Sequence, residues 1–245
     1  MNTIHVLSIG NSFSEDAQAY LHDLAASQGV SIESANLFIG GCSLERHFRN
    51  MHSQRKDYML QINGHRAVGF YVNLEEALTA RSWDYITLQQ ASPGSHREES
   101  YAPYLGELAA YVRRLCPKAR ILIHQTWGYE TGSLRLEQQG YQTFGEMFRQ
   151  VKLCYEKAAL SIGADGIIPA GEAFSHALNL GLAQVHRDTY HAKLGVGRFI
   201  LALVWYGYLT GADVRAVDFH RFAEPVSEEE YRIAIDAAHH ALNGQ

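Results

Sequence analysis

Apolar residues along this chain fall into two alternating patterns. Short runs of β-prone residues, as in "TIHVLS", give way to longer stretches in which apolar positions recur three and four apart. The first length suits a buried strand, and the second lets a helix lay one face on a sheet. The pattern predicts strands near residues 4–9, 31–38, 84–89, 120–125 and 165–169. It predicts helices over 15–28, 99–116, 141–162, from about 192 to the end of "YGYLTG", and over 227–243. The last helix opens with "SEEE", which offers Ser227 as N-cap with acids in the first turn. Residues 55–82 break the rhythm. There "YMLQINGHRAVGFYV" reads as two short strands about an Asn63-Gly64 turn, before "NLEEALTAR" resumes as helix. The reading is an α/β chain: a three-layer α/β/α sandwich, with a doubly wound sheet of about five parallel strands and a small inserted hairpin, forming one domain over 1–245. Such a sheet places its ligand site at the C-terminal ends of the strands.

Composition narrows the classes of partner. With 47% hydrophobic and 19% charged residues in 245, the chain is an ordinary globular sequence able to bury a sizeable core. The formal charge is −5, and no stretch interleaves basic with aromatic residues, so no nucleic-acid partner is expected. The 3 cysteines, Cys42, Cys116 and Cys154, are odd in number and widely spaced. That fits reduced thiols and a cytoplasmic location, or secretion if a leader was removed, rather than a disulfide framework or a zinc site. No apolar run reaches membrane-spanning length, so no membrane partner is expected. Neither a P-loop nor a His-Glu-x-x-His pair is present, and "GVG" lies inside a helical run, so neither metal nor organic cofactor is expected.

Four features follow apparent strands. In "IGNSFSED", Ser12 stands at a strand-to-helix turn, where it serves either the turn or a reaction; an exposed hydroxyl there, near backbone N–H groups, suits a nucleophile. Ser14 is expected to be the N-cap before Glu15 and Asp16. Gly40-Gly41 follows the second strand, and Gly41 lets backbone approach a substrate oxygen. Gln89-Gln90 follows the third; one amide faces the site, and alternation favours Gln90 as an oxyanion donor with Gln89 pointing away. Beyond the fifth strand, "HRDTYH" offers Asp188 and His191 as orienting acid and base. A second Asp-x-x-His pair, Asp236 and His239, falls on the polar face of the last helix and reads as surface. The loop "HQTWGYETG" after the fourth strand is expected to put Gln125, Trp127 and Tyr129 at the rim, as substrate-binding groups or, for Trp127, as core.

These residues resemble the SGNH (GDSL-type) hydrolase superfamily of serine esterases and lipases. "GNSFS" is similar to its first block, with Asn11 where Asp is commoner; "GGCS" is similar to its second through Gly41, and "DTYH" to its last through Asp188 and His191. The order spans nearly the whole chain. The third block departs: the superfamily's Gly-x-Asn-Asp is replaced by "LQQASPGS", similar only through Gln90 to the Gln-Gly-Glu of branches acting on acetylated sugars. The resemblance implies a flavodoxin-like SGNH fold, a Ser12-His191-Asp188 triad, an oxyanion hole from Ser12, Gly41 and Gln90, and no cofactor. It further implies a branch related to carbohydrate acetylesterases, cleaving short acyl esters of a small-molecule substrate such as a sugar; an oligomer stays open. Alternatives are a catalytically idle member binding a carbohydrate or acyl ligand, a lipase- or thioesterase-type acyl hydrolase and, last, a nucleotide-binding flavodoxin-like protein, for which the first loop lacks a phosphate-cradling glycine run.

Overall fold

The computed structural model describes residues 3–244. Seven strands form one sheet: β1 (Ile4–Gly10), β2 (Ile32–Phe38), β3 (Tyr58–Ile62), β4 (His65–Val72), β5 (Tyr85–Leu88), β6 (Arg120–His124) and β7 (Gly166–Ile168). Their order is β4-β3-β2-β1-β5-β6-β7. The five strands β2, β1, β5, β6 and β7 pair in parallel, while β3 and β4 join as an antiparallel hairpin. The five-strand expectation therefore holds, and the hairpin extends the sheet from the β2 side. Its Asn63-Gly64 turn has both residues at positive φ, 51° and 79°, as a two-residue turn matched to strand twist requires.

Helices cover both faces. They are α1 (Ser12–Gln18), α2 (Leu21–Ser27), α3 (Leu44–Ser53), α4 (Leu74–Thr79), α5 (Tyr104–Leu115), α6 (Leu134–Glu137), α7 (Phe144–Ile162), α8 (Ala170–Asn179), α9 (Val196–Thr210) and α10 (Glu228–Asn243). One group is α1, α2, α8, α9 and α10, and the other is α3, α4, α5 and α7. α9, "VGRFILALVWYGYLT", is almost wholly buried because α10 covers the side that the sheet does not. Ser227 caps α10 with Glu230 completing a capping box, as its sequence predicts.

Three local readings change. The helix expected over 15–28 is two helices, broken at Ala19–Tyr20, where the Tyr20 hydroxyl donates to the Leu194 carbonyl at 2.5 Å. The stretch expected to start at 99 becomes a short 3-10 turn and then α5 behind Pro103, which has no N–H to carry a continuous helix. Three helices, α3, the single-turn α6 and α8, lie outside the pattern-based set. No helix among the described residues is long and apolar enough to cross a membrane.

Candidate active site

β1 is the second of the five parallel strands, so the turn after Gly10 opens at the C-terminal edge near the middle of the sheet. Gly10 is there for space: a Cβ at this position would lie 2.0 Å from the Ser14 Oγ. Asn11, not Ser14, is the N-cap of α1. Its side chain accepts from the Phe13 N–H at 2.9 Å, and Ser14 completes a capping box by accepting from the Asn11 N–H at 3.0 Å. The expectation of Ser14 as cap is corrected because the helix begins three residues earlier than expected, at Ser12. With the cap supplied by Asn11, the Ser12 hydroxyl is left for other work.

Its partner is distant in sequence. His191 Nε2 lies 2.8 Å from Ser12 Oγ, and His191 Nδ1 lies 2.7 Å from Asp188 Oδ2. Asp188 Oδ1 also accepts the His191 backbone N–H at 2.9 Å, so one carboxylate fixes both the loop and the ring. An ionised Asp188 selects the tautomer with the proton on Nδ1, leaving Nε2 to accept from Ser12. Partial burial pushes the Asp188 carboxyl up, but the bonds from the His191 ring and backbone and the Arg187 charge outweigh it and hold the group below its ordinary value. The other Asp-x-x-His pair stays apart: His239 approaches Asp213, at 3.7 Å.

The loop carrying Asp188 and His191 has no regular structure and is fixed by tertiary bonds. Thr189 is left-handed at φ 75°, an uncommon conformation for a β-branched residue. Its carbonyl accepts from the Glu130 N–H at 2.8 Å, and the Tyr190 carbonyl accepts from the Trp127 indole at 2.7 Å. His186 donates from Nε2 to the Gly128 carbonyl at 3.0 Å, and burial holds its pKa down to about 4. The strongest tie is Asp16, 0% exposed on α1 four residues after the serine. It accepts from Arg187 at 2.9 and 3.0 Å, from Arg198 at 2.9 Å and from the Ala192 N–H at 3.1 Å. Sequence reading treats Asp16 only as a first-turn acid, since nothing local marks a carboxylate whose partners lie about 170 residues away.

The second loop closes over the first. Gly40 and Gly41 line the same cleft as Ser12 and His191, and Gly41 sits at φ 61°, where a side chain would be strained. Asn11 Nδ2 donates to the Cys42 carbonyl at 3.1 Å, linking the serine turn to this glycine loop. Among the described residues the backbone N–H groups of Ser12 and Gly41 have no hydrogen-bond partner. Cys42, beside them, is no rival nucleophile: burial pushes its thiol up to about 12.

Three assignments are corrected. Gln90 does not reach the cleft; its Oε1 accepts from the Leu44 and Ala91 N–H groups at 2.9 and 2.8 Å, and its Nε2 donates to Ser100. Gln89 is also buried, between His124 at 2.7 Å and Asn11 at 2.8 Å. Strand alternation fails here because β5 ends at Leu88. Gln125 is 1% exposed and accepts from the Glu172 N–H at 3.1 Å, so it caps α8 instead of meeting substrate. Trp127 is 0% exposed, stacked on Phe13 with ring centroids 4.3 Å apart, and belongs to the core, as does Tyr129. What lines the cleft in their place is Ser92, Tyr190, Arg66 and Arg135. Ser92 Oγ accepts from the Tyr129 hydroxyl at 2.9 Å, which leaves its own proton to donate. It stands two residues beyond Gln90, a neighbour that composition alone could not rank. The cleft holds about 460 Å³, a size suited to a small molecule. Among the described residues no group of three or more His, Cys, Asp or Glu is arranged to hold a metal ion.

The family model for DUF4886, a domain of unknown function, matches residues 5–241. The chain belongs to the DUF4886 family. A crystal structure of a DUF4886 family protein from Bacteroides uniformis is 35% identical to it, with TM-score 0.92, covering 98% of this chain and 95% of that one. More distant likenesses extend to a protein assigned as an SGNH hydrolase from Slackia heliotrinireducens, at 22% identity, TM-score 0.60, and 84% and 98% coverage. A protein assigned as a GDSL-like lipase from Parabacteroides merdae is 16% identical, with TM-score 0.57 and 86% and 98% coverage. These two carry the fold: this DUF4886 chain has the SGNH-hydrolase architecture, as its ordered motifs imply. Comparison with curated proteins finds no match.

Proposed function

We propose that this DUF4886 protein is a serine hydrolase that cleaves short-chain acyl esters, acetyl above all, through a covalent acyl-enzyme. The observation that carries the reading is the relay from Ser12 Oγ to His191 Nε2 at 2.8 Å and from His191 Nδ1 to Asp188 at 2.7 Å, open to a cleft. His191 takes the Ser12 proton as Oγ attacks the ester carbonyl. The negative charge that develops on the carbonyl oxygen is met by the free N–H groups of Ser12 and Gly41, with the Ser92 hydroxyl in the place first given to Gln90. His191 then protonates the leaving alcohol, and the same imidazole activates the water that releases the acid. Asp188 stays ionised throughout and stabilises the imidazolium.

The lining supports a small acyl group and a polar alcohol. Phe13, Phe38, Pro93 and Tyr190 are its large apolar members and are interleaved with Arg, Glu and Ser, which makes no continuous greasy groove for a long chain. Rings beside guanidinium groups suit a sugar-like alcohol, which offers both an apolar face and hydroxyls. The test is turnover of p-nitrophenyl acetate, butyrate and octanoate by the native chain and by Ser12→Ala. Activity that falls with acyl length and vanishes in the variant supports the reading; equal rates for native and variant would remove it.

A further inference from the structure

The cleft carries a charge that acyl transfer does not use. The whole chain has formal charge −5, yet the cleft is lined by three arginines, Arg66, Arg135 and Arg187, against one carboxylate, Glu15. Two of the three are neutralised in place. Arg66 donates to Glu15 at 2.7 Å, and Arg187 is held by the buried Asp16. Arg135 is different. It is exposed, and among the described residues it forms no ion pair with a carboxylate. Instead its guanidinium carbon lies 4.0 Å from the centroid of the Tyr190 ring and 5.8 Å from that of Tyr129.

A guanidinium resting on an aromatic ring is positioned by that ring, and beyond the N–H shared with the Tyr129 hydroxyl its donors remain directed around its edge for an anionic group. Tyr190 ties this cation to the reaction, because its ring centroid is 3.9 Å from that of His191. Steps of 4.0 and 3.9 Å through one ring bound the distance from guanidinium to imidazole at about 8 Å. A substituent one sugar ring away from the scissile ester falls in that range. The burial of Trp127 and Tyr129 strengthens the assignment, since they support the loop from inside while Arg135 is the residue of this segment that lines the cleft.

We propose that Arg135, on its Tyr190 platform, is an anion subsite, and that the preferred ester bears a carboxylate or phosphate on its alcohol part, as in an acetylated acidic sugar. Preference for that ester rests on the Ser12 hydrolase reading; the binding itself does not. The experiment therefore has a binding arm and a turnover arm.

In the first, the full chain carrying Ser12→Ala is titrated by calorimetry with glucuronate, glucose 6-phosphate and glucose. At least one anion is expected to bind about tenfold tighter than glucose, with the margin lost in Arg135→Gln, partly kept in Arg135→Lys and reduced by added salt. The better anion identifies the source of the charge. Equal binding of glucose and both anions, no binding of either anion at millimolar concentration, or a margin unmoved by Arg135→Gln overturns the subsite.

In the second, kcat/KM is compared for acetylated methyl glucuronide, acetylated glucose 6-phosphate and acetylated methyl glucoside with Ser12 intact. A preference of about tenfold for the anionic ester, carried by KM and abolished in Arg135→Gln, is expected. Ser12-dependent turnover that ignores charge overturns the subsite and leaves the hydrolase reading standing. Arg135-dependent binding with no turnover of any ester does the reverse.

Discussion

Asp16 Oδ1 lies 2.9 Å from Nη1 of Arg187, an ion pair that joins the helix bearing Ser12 to the loop bearing His191. Because Asp16 is fully buried, with Arg198 and the Ala192 N–H as further partners, removing it strands two arginines and frees the loop. Asp16→Ala is expected to cost about 3–5 kcal/mol in urea unfolding. Asp16→Asn keeps the volume and part of the hydrogen bonding, so it should fold better while still lowering kcat. A native kcat in Asp16→Asn would show that the pair does not position the histidine.

Asp188→Asn sets the amide NH2 against His191 Nδ1 and selects the wrong tautomer, so Nε2 can no longer accept the Ser12 proton. The expected loss in kcat is of the order of 10²–10⁴, with little change in KM. Stopped assays with p-nitrophenyl acetate measure it. Native activity in this variant would show that Asp188 does not orient the base.

Ser92→Ala removes the hydroxyl assigned to the oxyanion, and Tyr129→Phe removes the bond that orients it. Losing one such donor typically costs roughly 10²–10³ in kcat, and Tyr129→Phe should show a smaller loss in the same direction. Gln90→Ala, in contrast, should lower stability, because Gln90 satisfies the Leu44 and Ala91 N–H groups away from the cleft, and its kcat should stay near native once the protein is folded. The reverse ranking of the Ser92 and Gln90 variants would return the role to Gln90.

Asn11 must act as acceptor and donor at once: Oδ1 takes the Phe13 and Gln89 N–H groups, and Nδ2 gives to the Cys42 carbonyl. An Asp side chain has no donor for that carbonyl while ionised. Asn11→Asp is therefore expected to destabilise by about 1–3 kcal/mol and to loosen the Gly41 loop, read by urea unfolding and by kcat. Stability equal to native would mean that the bond to Cys42 is dispensable.

Burial holds the pKa of His47 and His124 down to about 3 and that of His186 to about 4. The unfolded chain protonates these residues near the ordinary histidine value, so between there and pH 4 it binds more protons than the folded chain. Stability must then rise with pH across this window and fall on acidification. Each histidine contributes a slope of up to about 1.4 kcal/mol per pH unit. Chemical denaturation from pH 7 to 4.5 checks it, and His186→Asn should flatten the curve. A profile independent of pH would contradict the burial of all three as neutral rings.

The sequence by itself determined the layers and the catalytic nominees. Apolar periodicity is a local property, so β1, β2, β5, β6 and β7 are legible within a residue or two, and the Asn63-Gly64 turn announces the hairpin. Ser12 and Gly41 are nominated because each follows a strand end, where topology restricts where a residue can stand, whereas Asp188 and His191, which lie beyond α8, are nominated by their Asp-x-x-His spacing ahead of a helical run. Only the tertiary structure decided what depends on direction or on long loops. Gln90, Gln125 and Trp127 have residue types suited to a site, but where a strand ends its alternation stops guiding the side chain, and all three turn inward. Asp16 and Arg187 look like ordinary surface charges until folding brings them together, and Ser92 and Arg135 gain meaning only from Tyr129 and Tyr190 beside them. Local pattern sets secondary structure, whereas a site is a set of distances between residues far apart in the chain, and those are fixed only when the core has packed.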